Sequence, residues 1–133
     1  MLFRSTEEGR ALLRKVSPIS YAERFAKPVL IAQGGKDQIV PQKQADRFVA
    51  ALQKYGKPVT YLLYPDEPHD FRQPESWLSL FAIAEAFFRD HLGGRAEPLG
   101  DDLRGARLEV RTGGELIPGL LQAMERKLSP RVK

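Results

Sequence analysis

A short unbroken apolar run, Val29-Leu30-Ile31-Ala32, and a second, largely apolar one from Val59 to Tyr64 stand among segments whose apolar residues recur at helical spacing. A run of this length without alternation suits a strand buried on both faces of a parallel sheet. Between the two runs, Ala45, Phe48, Val49 and Leu52 fall at i, i+3, i+4 and i+7, which predicts a helix with one apolar stripe. Pro41 is placed to open that helix and Gly56 to stop it. Residues 75–92 predict the longest helix. There Trp77, Phe81, Ala84 and Phe88 share a face, Leu80 and Phe87 lie beside it, and Gly93-Gly94 ends it. This aromatic face is expected to pack into the core, with a partner surface as the alternative. Ahead of the first run, residues 6–15 predict a short helix with Thr6 as N-cap and Glu7 and Glu8 in its first turn. Ser17-Pro18 breaks it and starts a brief turn through Tyr21 and Phe25.

Strand, helix and strand over residues 28–64 form a βαβ unit with a right-handed crossover, so the fold class is α/β. Two parallel strands leave both long edges with unpaired N–H and C=O groups, and the sheet is therefore expected to be incomplete. Beyond Gly94 the composition shifts. Residues 95–106 are rich in charge and glycine, Leu108 to Arg111 predicts a brief extended stretch, and Gly113-Gly114 a turn. From Leu116 to Leu128 the spacing is helical, with Leu120, Leu121, Met124 and Leu128 apolar and Pro118-Gly119 restricting the start. The chain accordingly divides into residues 1–94 and a short appended tail, 95–133, expected to be loosely packed with a frayed basic end at Lys133. It has no internal repeat and no low-complexity tract.

The 133 residues allow one domain with a modest core. The net charge is +4 and the pI about 9.5, but the basic residues are scattered among acids. No basic stripe interleaved with aromatics appears, so no nucleic-acid partner is expected. No apolar run approaches the ~20 residues of a spanning helix, so no membrane partner is expected either. Cysteine is absent, which removes disulfides, thiol catalysis and zinc sites of the cysteine type. The only histidines, His69 and His91, form no sequential ligand pair, so no metal is expected. His91 suits the macrodipole at the end of its helix. The glycine pairs at 34, 93 and 113 fit neither the dinucleotide fingerprint nor the P-loop, and no cofactor is expected. Met1 to Glu8 has no apolar leader core. Cytoplasmic residence is the default, with an ancestral leader left open.

Asp37 and His69 are the candidate catalytic residues. Each closes a loop that follows one of the apolar runs. In a parallel sheet the functional crevice lies beyond the carboxyl ends of the strands, and a βαβ unit brings both loops to the same sheet edge. There Asp37 can accept a hydrogen bond from His69 Nδ1–H while Nε2 acts as general base. A plainer reading stays open for each: Asp37 as a turn residue capping the helix near Pro41, and His69 as a solvated loop residue. The nucleophile has no candidate. Ser5, Ser17, Ser20, Ser76, Ser79 and Ser129 are the only serines, and none sits in a G-x-S-x-G elbow.

The segment Pro28 to Asp37, with Val40-Pro41 and Gln44 behind it, resembles the acid strand and loop of prolyl oligopeptidase-type serine peptidases, especially their acylaminoacyl-peptidase and dipeptidyl-peptidase branches. Tyr55 to Val59 and Tyr64-Pro65-Asp66-Glu67-Pro68-His69-Asp70-Phe71 resemble the approach to their histidine, and Ser17-Pro18 a common pair before the acid strand. The resemblance covers roughly residues 7–92. It implies an α/β-hydrolase fold of which this chain is a C-terminal portion, with Asp37 in the acid position and His69 in the base position. The usual glycines flanking the histidine are replaced by Pro68 and Asp70, which stiffen the loop and add a charge beside the imidazole. By the same resemblance, nucleophile, oxyanion donors and specificity pocket lie upstream of residue 1, so the dyad alone should hydrolyse little or nothing. A peptide or acyl-peptide is the implied substrate if that part is supplied. A homodimer through the last hydrolase strand and helix is the implied assembly. Two other readings stand beside this one: a non-catalytic interaction or oligomerisation module whose sheet edges are completed by another chain, and a small hydrolase using a different nucleophile.

Overall fold

The computed structural model describes residues 5–128. Helix α1 (Glu7–Val16) begins where Thr6 Oγ1 accepts the N–H of Gly9 at 3.0 Å, and Glu7 in its first turn pairs with Arg10 and Arg14. A 3₁₀ segment, Pro18–Arg24, leads into β1 (Val29–Gly34). Then come α2 (Gln42–Lys54), β2 (Val59–Tyr64) and α3 (Pro74–Leu92). Gly56 adopts φ +63° just past α2, and Lys57 N–H returns to Leu52 O at 2.9 Å, the left-handed stop the sequence expects there. The tail adds β3 (Glu109–Thr112), a 3₁₀ turn Gly114–Leu116 and α4 (Leu120–Leu128).

The sheet has three strands in the order β1-β2-β3. β1 and β2 run parallel, paired from Val29 with Val59 to Gly34 with Tyr64. β3 runs antiparallel along the other side of β2. On one face of β2, Val59 and Tyr61 meet Ala45, Val49 and Leu52 of α2 and Ala22 of the 3₁₀ segment. On the other, Leu62 and Tyr64 meet Ile83 and Ala86 of α3. The period-2 alternation thus divides one strand between two cores.

Three expectations are corrected. First, the tail is not loosely packed: Leu99, Leu103, Ala106, Leu108, Ile117, Leu120 and Ala123 are buried in the same cluster as Leu62, Tyr64 and Ile83. Its β3 also closes one of the two edges expected to be open. Second, β1 is not buried on both faces. Its first three residues are half-buried and Ala32 is exposed, β1 being an edge strand among those described. Third, the aromatic face of α3 points outward. Ser76, Ser79, Ile83 and Ala86 are buried, whereas Trp77, Phe81 and Phe88 are 40%, 62% and 54% exposed. Small residues let the helix approach the sheet closely, and Ser79 Oγ meets the hydroxyl of Tyr64 at 3.0 Å. The predicted end at Lys133 lies outside the described residues.

Candidate active site

The site forms where β1 and β2 end. Past the last strand pair, Gly35 N–H donates to Tyr64 O at 2.8 Å and Lys36 N–H donates to Glu67 O at 2.9 Å. The acid loop therefore stays laced to the histidine loop after the sheet has stopped. Gly34 and Gly35 make this possible. A Cβ on Gly34 would collide with the carbonyl oxygens of Glu67 and Pro68, and one on Gly35 would lie 2.6 Å from Pro65 O. Only glycine lets two backbones lie this close.

The lacing brings Asp37 and His69, 32 residues apart, into direct contact: His69 Nδ1 lies 2.8 Å from Asp37 Oδ2. Asp37 Oδ1 accepts the N–H groups of Ile39 and Val40, each at 2.8 Å. Turn residue and histidine partner are thus combined in one carboxylate, but the expected cap is not made: α2 has Pro41 as its N-cap and no side-chain capping bond. Gln33, which the sequence reading passed over, anchors the same loop by donating from Nε2 to Val40 O at 3.0 Å and, more weakly, to Asp37 Oδ2 at 3.4 Å.

Electrostatics follow from this bonding. Burial pushes the Asp37 carboxyl up, but the hydrogen bonds from His69, Val40 and Ile39 outweigh it and hold the acid below its ordinary range. The bond to Asp37 raises the His69 pKa against a smaller desolvation effect, and the charges of Asp37 and Asp70 push the same way. The Asp37 side chain is 5% exposed and that of His69 42% exposed. With Nδ1 committed to the acid, Nε2 is the ring nitrogen left to exchange a proton with whatever enters the adjoining cleft. That cleft, of about 640 Å³, is lined by Lys36, Ile39, Asp66, Asp70 and Arg72 as well as His69. Asp66 bridges Lys36 at 3.0 Å and, from the tail, Arg107 at 2.8 Å.

Glu67 was also missed as an individual. It is buried two residues before the histidine, and its carboxylate accepts the N–H groups of Arg72 and Gln73 at the start of α3. No spacing rule marks it, since its partners follow at five and six residues rather than at the capping-box interval. Neither Ser76 nor Ser79 approaches a nucleophile's role, both being buried on α3. Ser5, Ser17 and Ser20 precede β1 and none lines the cleft beside His69, and Ser129 lies outside the described residues. His91, in the last turn of α3, packs its ring edge against Phe87 with centroids 4.7 Å apart. Among the described residues, no group of three or more histidine, aspartate or glutamate side chains could hold a metal ion.

An acid after one parallel strand and a histidine after the next, joined by a crossover helix, define an α/β-hydrolase-type arrangement. The family model of the prolyl oligopeptidases matches residues 2–95, and the chain belongs to that family of serine peptidases. It is 42% identical over 120 residues to dipeptidyl aminopeptidase BIII of Pseudoxanthomonas mexicana, covering 90% of this chain and 17% of the relative. It is 47% identical over 94 residues to dipeptidyl peptidase family member 6 of Caenorhabditis elegans, covering 71% of this chain and 13% of the relative. The human acylamino-acid-releasing enzyme matches at 36% over 77 residues, 58% of this chain and 10% of that enzyme. Among solved structures, a puromycin-hydrolyzing peptidase of Mycobacterium tuberculosis superposes with a TM-score of 0.62 at 33% identity, over 66% of this chain and 14% of that one. The chain thus spans less than a fifth of the length of the relatives it matches.

Proposed function

We propose that this chain supplies the acid and the base of a Ser-Asp-His triad for cleavage of peptide or acyl-peptide bonds, with the serine contributed by a segment outside these residues. The observation that carries the reading is the 2.8 Å contact between His69 Nδ1 and Asp37 Oδ2 at the carboxyl ends of two paired parallel strands. In the reaction, Nε2 of His69 takes the proton of the serine hydroxyl as its oxygen attacks the carbonyl. Asp37 stabilises the resulting imidazolium, which then protonates the leaving amine. The acyl group passes to water by the same route in reverse.

A second reading, a non-catalytic association module, draws on a different observation. Among the described residues β1 pairs on one side alone, with β2, so its alternate N–H and C=O groups face away from the sheet. The outward aromatics of α3 add apolar surface. Both readings need a second polypeptide segment, but only the first needs His69.

Co-expression of this chain with the G-x-S-x-G-bearing part of a dipeptidyl aminopeptidase catalytic domain separates them. The expected result is hydrolysis of a dipeptidyl-naphthylamide and labelling by a fluorophosphonate only when both parts are present, with hydrolysis abolished by His69→Ala. A complex that forms but hydrolyses nothing favours the association module. Labelling of this chain by itself would revive an independent nucleophile and overturn both.

A further inference from the structure

Glu67 is, among the described residues, the one charged residue buried in backbone and side chain alike, at 1% exposure. Proton transfer between Asp37, His69 and a serine does not require it. A buried carboxylate survives only where hydrogen bonds replace its water, and here the replacements all come from beyond His69, on the approach to α3. Oε2 accepts Arg72 N–H at 2.7 Å and Oε1 accepts Gln73 N–H at 3.2 Å, while the Ser76 hydroxyl also bonds the carboxylate. Burial pushes this acid up, yet those three bonds outweigh it and keep the group ionised.

The backbone of the same residue reaches the other way. Its N–H donates to Tyr64 O, the last residue of β2, at 3.1 Å, and its carbonyl accepts Lys36 N–H from the acid loop at 2.9 Å. Residues 64–73, the stretch that carries the imidazole, are thus drawn together at one point. That point is joined to the strand behind, the helix ahead and the acid loop beside it. Gln73, the N-cap of α3, makes no side-chain capping bond of its own. Glu67 instead bonds the backbone N–H of that N-cap residue and of Arg72 before it, which places its negative charge near the positive end of the helix.

We infer that Glu67 is a positioning residue for His69: its buried carboxylate closes the histidine loop onto the start of α3 and so holds Nδ1 against Asp37. The inference rests on the reading of Asp37 and His69 as acid and base. It differs from a merely stabilising role in what it predicts for the ring. A free neutral imidazole has no partner to fix its tautomer, whereas one held by a carboxylate at Nδ1 carries its proton there.

The test is ¹⁵N NMR of the full 133-residue chain, with His91 as internal reference. In the parent chain the neutral His69 ring should be the Nδ1–H tautomer, with a downfield proton at Nδ1. In Glu67→Gln, with far-UV circular dichroism unchanged, the downfield resonance should be lost and the tautomer should shift towards Nε2–H, His91 being unaffected. Loss of the Glu67 charge alone would move the titration midpoint but leave the tautomer fixed. A folded Glu67→Gln chain with an unaltered Nδ1–H signal overturns the inference. If that variant does not fold, Ser76→Ala removes one of the three bonds and should weaken the same signal, an unchanged signal again overturning it. Absence of the Nδ1–H tautomer in the parent chain would instead sink the acid–base reading itself.

Discussion

Leu120 offers a direct measure of how far the tail belongs to the body of the protein. It opens α4, is fully buried, and shares a cluster with Leu62 of β2 and Ile83 of α3. Truncating such a leucine to alanine removes its transfer free energy and leaves a cavity, a combined loss of ~2–5 kcal/mol. Against a total stability of ~5–15 kcal/mol for a domain, that is a large fraction. Leu128, on the same helix but 80% exposed, provides the control, and its replacement by alanine should stay within about 0.5 kcal/mol. Urea unfolding followed by circular dichroism measures both. Trp77, the only tryptophan, reports separately through its fluorescence, because it sits at the start of α3 and donates to Phe71 O at 2.8 Å. If tail and body unfold as one unit, Leu120→Ala should lower the midpoint equally by both probes. A Trp77 transition that stays put while the dichroism shifts would show the tail to be an independent appendage. A change no larger than that of Leu128→Ala would show it to be loosely packed after all.

Other outcomes follow from the site. Gly34→Ala forces a Cβ into the carbonyls of Glu67 and Pro68, so it should cost ~1–3 kcal/mol of stability in urea unfolding and weaken the His69 Nδ1–H resonance. The Asp37–His69 pair should give a stability profile with two limits. The His69 pKa is raised, so its contribution is complete below the ordinary 6.5 and is lost as pH rises through the higher folded value. That of Asp37 is lowered, so its contribution is complete above the ordinary 3.8 and is lost as pH falls through the lower folded value. Urea midpoints measured against pH should therefore show an excess between these limits that Asp37→Asn abolishes, and a parallel profile in the variant would count against the pair. Arg107→Ala breaks an ion pair in which the arginine is 70% exposed, so it should change stability by less than ~1 kcal/mol, as thermal denaturation can check.

Local order was readable where one rule acted alone. The Thr6 cap, the stripe of α2 and the Gly56 stop follow from spacing within a single element, and the parallel pairing of the two apolar runs from the one helix between them. So did the convergence of Asp37 and His69, because a βαβ crossover sends both loops to one edge regardless of their sequence separation. The tail was misread because charge and glycine in 95–106 look like solvent-facing loop. Its buried residues, Leu99, Leu103 and Ala106, carry no helical or strand period that would mark a core face. The face of α3 was misassigned for a different reason. Periodicity identifies which residues share a side, but not which side meets the sheet, and here close approach through Ser76, Ser79 and Ala86 prevailed over aromatic bulk. Gln33 and Glu67 escaped notice because each acts through bonds to loop backbone, which leave no spacing in the sequence.

The discrepancies between pattern and burial are not spread evenly. They concentrate on β1, whose apolar run reads as interior yet has Ala32 exposed, on the outer face of α3, and on Leu12, Leu13 and Val16 of α1, all exposed. The Asp37–His69 pair shows no such mismatch. Asp37 has both oxygens bonded, the two glycines admit the facing loop, and Glu67 holds the turn from beneath, all with residues of this chain. Geometry that depends on two neighbouring strands and their loops needs nothing beyond them. Apolar surface composed like a core, by contrast, is stabilised only when something covers it. The same chain can therefore hold the Asp37–His69 contact in place while carrying apolar faces that would gain stability when covered. Shielding the exposed faces by association should raise the unfolding midpoint of this chain without altering the His69 tautomer, since the imidazole is already held.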